Sequence, residues 1–219
     1  MSTFIDVSHT VEDGMVTYKG LPPPIIRDHL SRVESKTRYA KGTEFHIGKI
    51  EMVANTGTYI DSPFHRYASG KDLSDLPLSS IADLDGLVVR QTDRNSRAID
   101  ADVFKGLRLK NRGVLVHTGW DKHWRTDQYA EGHPFLTRAA AQFLVDQGVT
   151  LVGIDSFNID DATDGTRPAH TLLLAADIPI VEHLCNLDAL PDEAFAFFAV
   201  PVKVARFGSF PVRAFGIVD

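Results

Sequence analysis

Short apolar runs, separated by turn and helix signals, constrain the fold of this chain more than any other feature. Residues 86–89, 113–116, 149–154 and 178–181 are apolar stretches that read as strands. Between the second and third, Thr137 is placed to cap a helix. Ala140, Phe143, Leu144 and Gln147 share one face of it, and Gly148 ends it. Residues 44–54 read as an earlier strand. Residues 195–204 and 212–218 are rich in β-branched and aromatic side chains and read as a hairpin pair. Residues 27–38 are polar and fit a strand or a mobile flap, and the prolines at 22–24 mark a loop. No repeat or linker divides the chain. The pattern predicts one α/β domain over residues 1–219, with a mixed sheet curved into a barrel.

A chain of 219 residues can bury a sizeable core without disulfides or a structural metal, so a metal bound here would serve function. The formal charge is −6 and no basic run stands out, which argues against a nucleic-acid partner. One cysteine, Cys185, fits a reducing cytoplasm. Residues 1–11 lack the basic and apolar regions of a signal peptide, and no apolar stretch is long enough to span a membrane.

The densest chemistry lies at Asn55-Thr56-Gly57-Thr58-Tyr59-Ile60-Asp61-Ser62-Pro63-Phe64-His65-Arg66-Tyr67. It follows a strand and reads as a loop. Asp61 and His65 are four residues apart, but Pro63 between them argues against a continuous helical face. A carboxylate and an imidazole are the usual parts of a metal or acid–base site; on the residues alone, a salt-bridged Asp beside a surface His fits equally well.

The segment resembles the signature of the cyclase family of metal-dependent hydrolases, which includes bacterial kynurenine formamidase and isatin hydrolase. That signature runs His-x-Gly-Thr-His-x-Asp-x-Pro-x-His, and Gly57, Thr58, Asp61, Pro63 and His65 match it in place. Asp6-Val7-Ser8-His9, Thr118-Gly119-Trp120, Gly153-Ile154-Asp155-Ser156, Ala169-His170 and Ile180-Val181-Glu182 recur in the family's order. The resemblance implies a swivelling β/β/α fold with a barrel-like sheet, and a homodimer or homotetramer. It also implies a divalent zinc or manganese ion held by Asp61, His170 and Glu182. Hydrolysis of a small molecule's carbon–nitrogen bond, in a formamide, lactam or cyclic imide, would use water on that ion as nucleophile. His65 would be general base and acid, and the Tyr59 hydroxyl would steady the oxyanion.

Asn55 and Tyr59 depart from the pattern, standing where the family has its first two histidines. An amide oxygen is a harder ligand than imidazole, and a phenol must lose a proton of pKa about 10 to ligate well. In the family those two histidines, with the signature Asp, hold a first metal beside the one described above, and that first position is therefore expected to be empty here. A mononuclear hydrolase, a metal-free acid–base enzyme and a non-catalytic small-molecule-binding protein all remain open. Asn55, Arg66, Trp120 and His117 are candidates for substrate contacts, with Arg167 beside them. Trp120, Trp124 and Tyr129 form either a substrate wall or a structural patch. His46 is a possible substitute ligand, and His183 reads as a surface or packing residue.

Overall fold

The computed structural model describes residues 1–93 and 96–219. In chain order the strands are β1 Thr3–Asp6, β2 Ile25–Leu30, β3 Ile47–Glu51, β4 Tyr59–Asp61, β5 Leu84–Arg90, β6 Ala98–Ile99 and β7 Arg112–His117. They continue with β8 Phe135–Leu136, β9 Leu151–Ile154, β10 Ile180–Glu182, β11 Phe195–Phe198, β12 Ser209–Pro211 and β13 Phe215–Val218. The α-helices are α1 Arg32–Ser35, α2 Arg138–Asp146 and α3 Pro168–Ala175.

One mixed sheet runs in the order β1-β13-β11-β5-β7-β9-β10-β4-β12. β5, β7, β9 and β10 are parallel, and antiparallel strands extend both sides. The sheet curls: Ser8, just past β1, bridges to Leu184, just past β10, and the Cys185 amide donates to the Val7 carbonyl. This is the mixed, barrel-like α/β architecture expected.

The parallel strands read as unbroken apolar runs because both their faces are buried. Leu87, Val89, Val114, Val116, Val152 and Ile154 point to one face, against Ala140, Leu144, Leu173 and Leu174 of α2 and α3. Val88, Leu115, Leu151 and Val181 point to the other, packed inside the curl with Ile60, Leu84 and Phe197. The α2 cap forms as its sequence requires: the Thr137 hydroxyl accepts from the Ala140 amide, and Gly148 takes φ +70° past the helix end.

Three expectations change. The signature's central residues are strand β4, not loop, because Tyr59–Asp61 pairs on both sides, with β10 and β12. The C-terminal segments do pair antiparallel as β11 and β13, but not through a tight turn: β12 intervenes and crosses to the far edge. Residues 27–38 divide between β2 and α1, where Ser31 and Glu34 form a reciprocal cap. β2 and β3 make a two-stranded ribbon off the main sheet.

Candidate active site

The alternation of β4 puts Tyr59 and Asp61 on one face, with Ile60 on the other in the core. Register sets Glu182 opposite Tyr59 and Ile180 opposite Asp61. α3 begins after a left-handed residue, Arg167 (φ 46°), with Pro168 in its first turn, and brings His170 over the same face. A short 3-10 turn, Pro63–His65, carries His65 to the rim. Tyr59, His65, His170 and Glu182, with Tyr18, Leu21, Asn55, Arg66, Asn158 and Arg167, line a cavity of about 280 Å³, and Asp61 is fully buried beside His65 and His170.

Asp160 fixes His170. Its carboxylate accepts from His170 Nδ1 at 2.7 Å, from the His170 amide at 3.1 Å and from the Ala169 amide at 2.6 Å. With Nδ1 so engaged, Nε2 faces Asp61 Oδ2 at 3.6 Å and Glu182 Oε1 at 3.8 Å. Burial works against a charged imidazole here, but Glu182, Asp160 and Asp61 outweigh it and hold the His170 pKa at about 10.

Ser209 links the other two members. Its hydroxyl donates to Asp61 Oδ1, and His65 Nδ1 lies 2.8 Å from the Ser209 Oγ. A serine has one hydroxyl proton. Because that proton goes to Asp61, His65 Nδ1–H is the donor to Ser209, which leaves Nε2 of a neutral His65 bare. Gly208 makes this approach possible, since a Cβ there would sit 2.6 Å from the His65 backbone.

Glu182 is fully buried and tightly held. Oε1 accepts the Ile159 amide at 2.7 Å, while Oε2 accepts the Tyr59 hydroxyl and lies 3.3 Å from the Tyr18 hydroxyl. Burial raises its pKa, with the His170 charge pulling it back down. Burial and the Glu182 charge likewise push both phenols well above their usual range, so Tyr59 and Tyr18 stay protonated.

The donor set fits a divalent cation. Among the described residues Asp61 Oδ2 is buried with no hydrogen-bond partner, the kind of orphan that needs an ion or water. Ligand atoms of tetrahedral zinc lie about 3.4 Å apart, close to the separation of Asp61 Oδ2 and His170 Nε2. Asp61, His65 and His170 each offer a ligand atom, all within 4.8 Å of one another. Glu182 sits beside this group with most of its hydrogen-bonding capacity used. The Tyr59 hydroxyl proton, assigned to the oxyanion from the sequence, here serves Glu182.

Other candidates lie elsewhere. His117 is on β7 with Nδ1 3.0 Å from Arg90, and Trp120 donates its indole N–H to the Tyr129 carbonyl; neither lines the cavity. His46 pairs with Asp28 on the ribbon. His183 is buried, between the Tyr129 and Tyr18 hydroxyls. A larger cavity of about 500 Å³ includes Lys19, Arg125 and Tyr129, but no cluster of acids and imidazoles. Sequence reasoning missed Tyr18, Asp160 and Ser209. A buried ligand histidine needs a partner on its other nitrogen, so the acids of the loop before His170 were findable. Nothing in the sequence around Ser209 marks it.

The comparisons agree with this architecture. Over 99% of the chain, the fold matches isatin hydrolase A from Labrenzia aggregata bound to benzyl benzoate (TM-score 0.83, 20% identity, 94% of that chain). A potential metal-dependent hydrolase with cyclase activity matches over 100% of this chain and 99% of its own (TM-score 0.81, 24% identity). In sequence, the kynurenine formamidase of Geobacillus thermodenitrificans is 30% identical over 216 residues, covering 98% of this chain and 97% of that protein. The Bacillus cereus kynurenine formamidase is 27% identical over 214 residues, covering 97% and 96%. A family model described as "Putative cyclase" matches residues 5–161, from β1 through the signature and β9. With residues 5–161 matched by the family model and a relative 30% identical over 98% of its length, this chain belongs to the Cyclase family.

Proposed function

We propose that the protein hydrolyses a carbon–nitrogen bond in a small formamide, lactam or cyclic imide, with one divalent ion, zinc or manganese, at Asp61 and His170. The observation that carries this is the buried Asp61 Oδ2, which has no hydrogen-bond partner among the described residues and lies 3.6 Å from Nε2 of His170, a cavity-lining residue. The names of the kynurenine formamidase relatives and of the isatin hydrolase neighbour support the bond type.

When bound, the ion supplies a water of lowered pKa and a positive charge beside the carbonyl. The chain's residues do the rest. Asp160 holds the His170 ring through Nδ1, so that the Nε2 proton facing Asp61 would give way to a bound ion, and Glu182 adds negative charge behind it. His65 takes the proton of the attacking water on Nε2, with Nδ1 anchored through Ser209 to Asp61. A carbon–oxygen bond forms, the carbon–nitrogen bond breaks, and His65 returns the proton to the departing nitrogen. Tyr59 and Tyr18 anchor Glu182. Tyr59 stands where the family has a histidine, so no second ion is needed in this scheme.

The test is turnover of N-formylkynurenine, isatin and simple aryl formamides by protein loaded with zinc or manganese. Hydrolysis of at least one, lost in His65→Ala, is expected. No hydrolysis across that panel would overturn the proposal.

A further inference from the structure

Two cations at the cavity are not needed by that chemistry. Arg66 and Arg167 both line it, and among the described residues neither has a carboxylate within 4.0 Å. The larger cavity differs, because its cations are already neutralised: Lys19 pairs with Asp127 at 3.0 Å and Arg125 with Glu12 at 2.9 Å. Arg167 is half-buried and preorganised. Its backbone is left-handed at φ 46°, and Nη1 donates to the Asp161 carbonyl at 3.2 Å and to Asn158 Oδ1 at 3.5 Å, which among the described residues leaves Nη2 and Nε for a ligand. Arg66 follows His65 directly and lies over the Tyr67 ring, 5.3 Å from its centroid. A guanidinium stays charged at every working pH and pairs with carboxylates in a two-pronged geometry. Leu21 and the Tyr18 ring provide an apolar wall in the same cavity.

We infer that Arg66 and Arg167 select substrates carrying a carboxylate, so that the amide or imide cleaved here belongs to a small, flat, anionic molecule. The carboxylate docks at the guanidiniums, the ring lies on the Tyr18–Leu21 wall, and the scissile carbonyl turns toward His65 and Asp61. This rests on the hydrolase reading for its chemistry but not for its binding. Glu182 in the cavity lining and the buried Asp61 beside His170 would repel an anion lying near them; two cations hold it by the end away from them.

The test uses N-acetylanthranilate and acetanilide, which differ by one carboxylate, titrated calorimetrically into the metal-loaded protein. Hydrolysis of N-formylanthranilate and formanilide is followed in parallel. Binding of the anionic probe at least tenfold tighter is expected. That ratio should fall fivefold or more in R66Q and in R167Q, and approach one in the double variant and in high salt. Equal affinities, binding of neither probe, or a preference that survives in the double variant would overturn the inference. R66Q alters an exposed side chain and remains informative if R167Q fails to fold. A binding preference without turnover of either formamide would break the hydrolase reading alone. Equal turnover of both, without a binding preference, would break this inference alone.

Discussion

His65 and His170 differ in the partners that hold their Nδ1 atoms, and the proposed hydrolysis gives them different roles. His170 is locked by a carboxylate, Asp160, and is buried; His65 is tethered by a hydroxyl, Ser209, at the rim. In the proposed function His65 transfers the proton and His170 holds the ion. His65→Ala should therefore lower kcat by about 10²–10⁴-fold while the protein keeps its ion, read as turnover beside elemental analysis. Loss of the ion in that variant would make His65 a ligand instead. A second residue reports on stability. His9 stacks on Trp124 with ring centroids 4.0 Å apart, and burial lowers its pKa to about 4 against the raising pull of Asp121. The unfolded chain takes up this proton near 6.5, so between those values it binds more protons than the fold does. Stability must fall as pH drops from about 6.5 to about 4 and level off below. Denaturant unfolding should show His9→Phe losing about 1–3 kcal/mol less across that window than wild type; parallel curves would contradict it.

At the scale of elements, the site depends on strands too short to announce themselves. β4 and β12 pair over three residues each, Tyr59–Asp61 with Ser209–Pro211, and this places Ser209 against Asp61 and His65. Gly208→Ala should push β12 off the turn that carries His65, because its Cβ would meet backbone rather than a movable side chain. A fall in kcat of about 10²-fold is expected, the cost of misplacing a catalytic group by roughly 1 Å, with a stability loss of about 1–3 kcal/mol. Unchanged kinetics would show that β12 does not position His65. The same shortness explains what the sequence made legible. β5, β7 and α2 were readable because burial on both faces, or a cap and a helical face, leaves a pattern several residues long. β4 hid inside a polar signature, and β12, three residues ending in a proline, leaves no period to read. Asp61, His65, His170 and Glu182 were legible by resemblance. Ser209 and Tyr18 lie 148 residues after Asp61 and 41 before Tyr59, and only the curl of the sheet joins them.

For the whole molecule, the β2–β3 ribbon is the part that the main sheet does not cover. Ile25, Ile26, Ile47 and Ile50 are exposed on it, and Phe45 lies exposed just before β3. An isolated two-stranded ribbon is marginally stable in water, and contiguous exposed apolar surface marks an interface. We propose that a second copy of this chain covers it, giving a homodimer or homotetramer. Ile26 and Ile50 are cross-strand partners, so I26D/I50D should shift the protein to monomer in sedimentation equilibrium. A wild-type monomer at micromolar concentration would contradict this.

The central claim is that this chain binds one catalytic ion at Asp61 and His170. Elemental analysis of untagged protein, with Asp61→Asn and His170→Ala beside it, tests that most directly. About one zinc or manganese per chain, lost in both variants, is the predicted result. An ion content near zero after loading with either metal would contradict the account, and would leave acid–base chemistry by His65, or binding alone, as the work of the cavity.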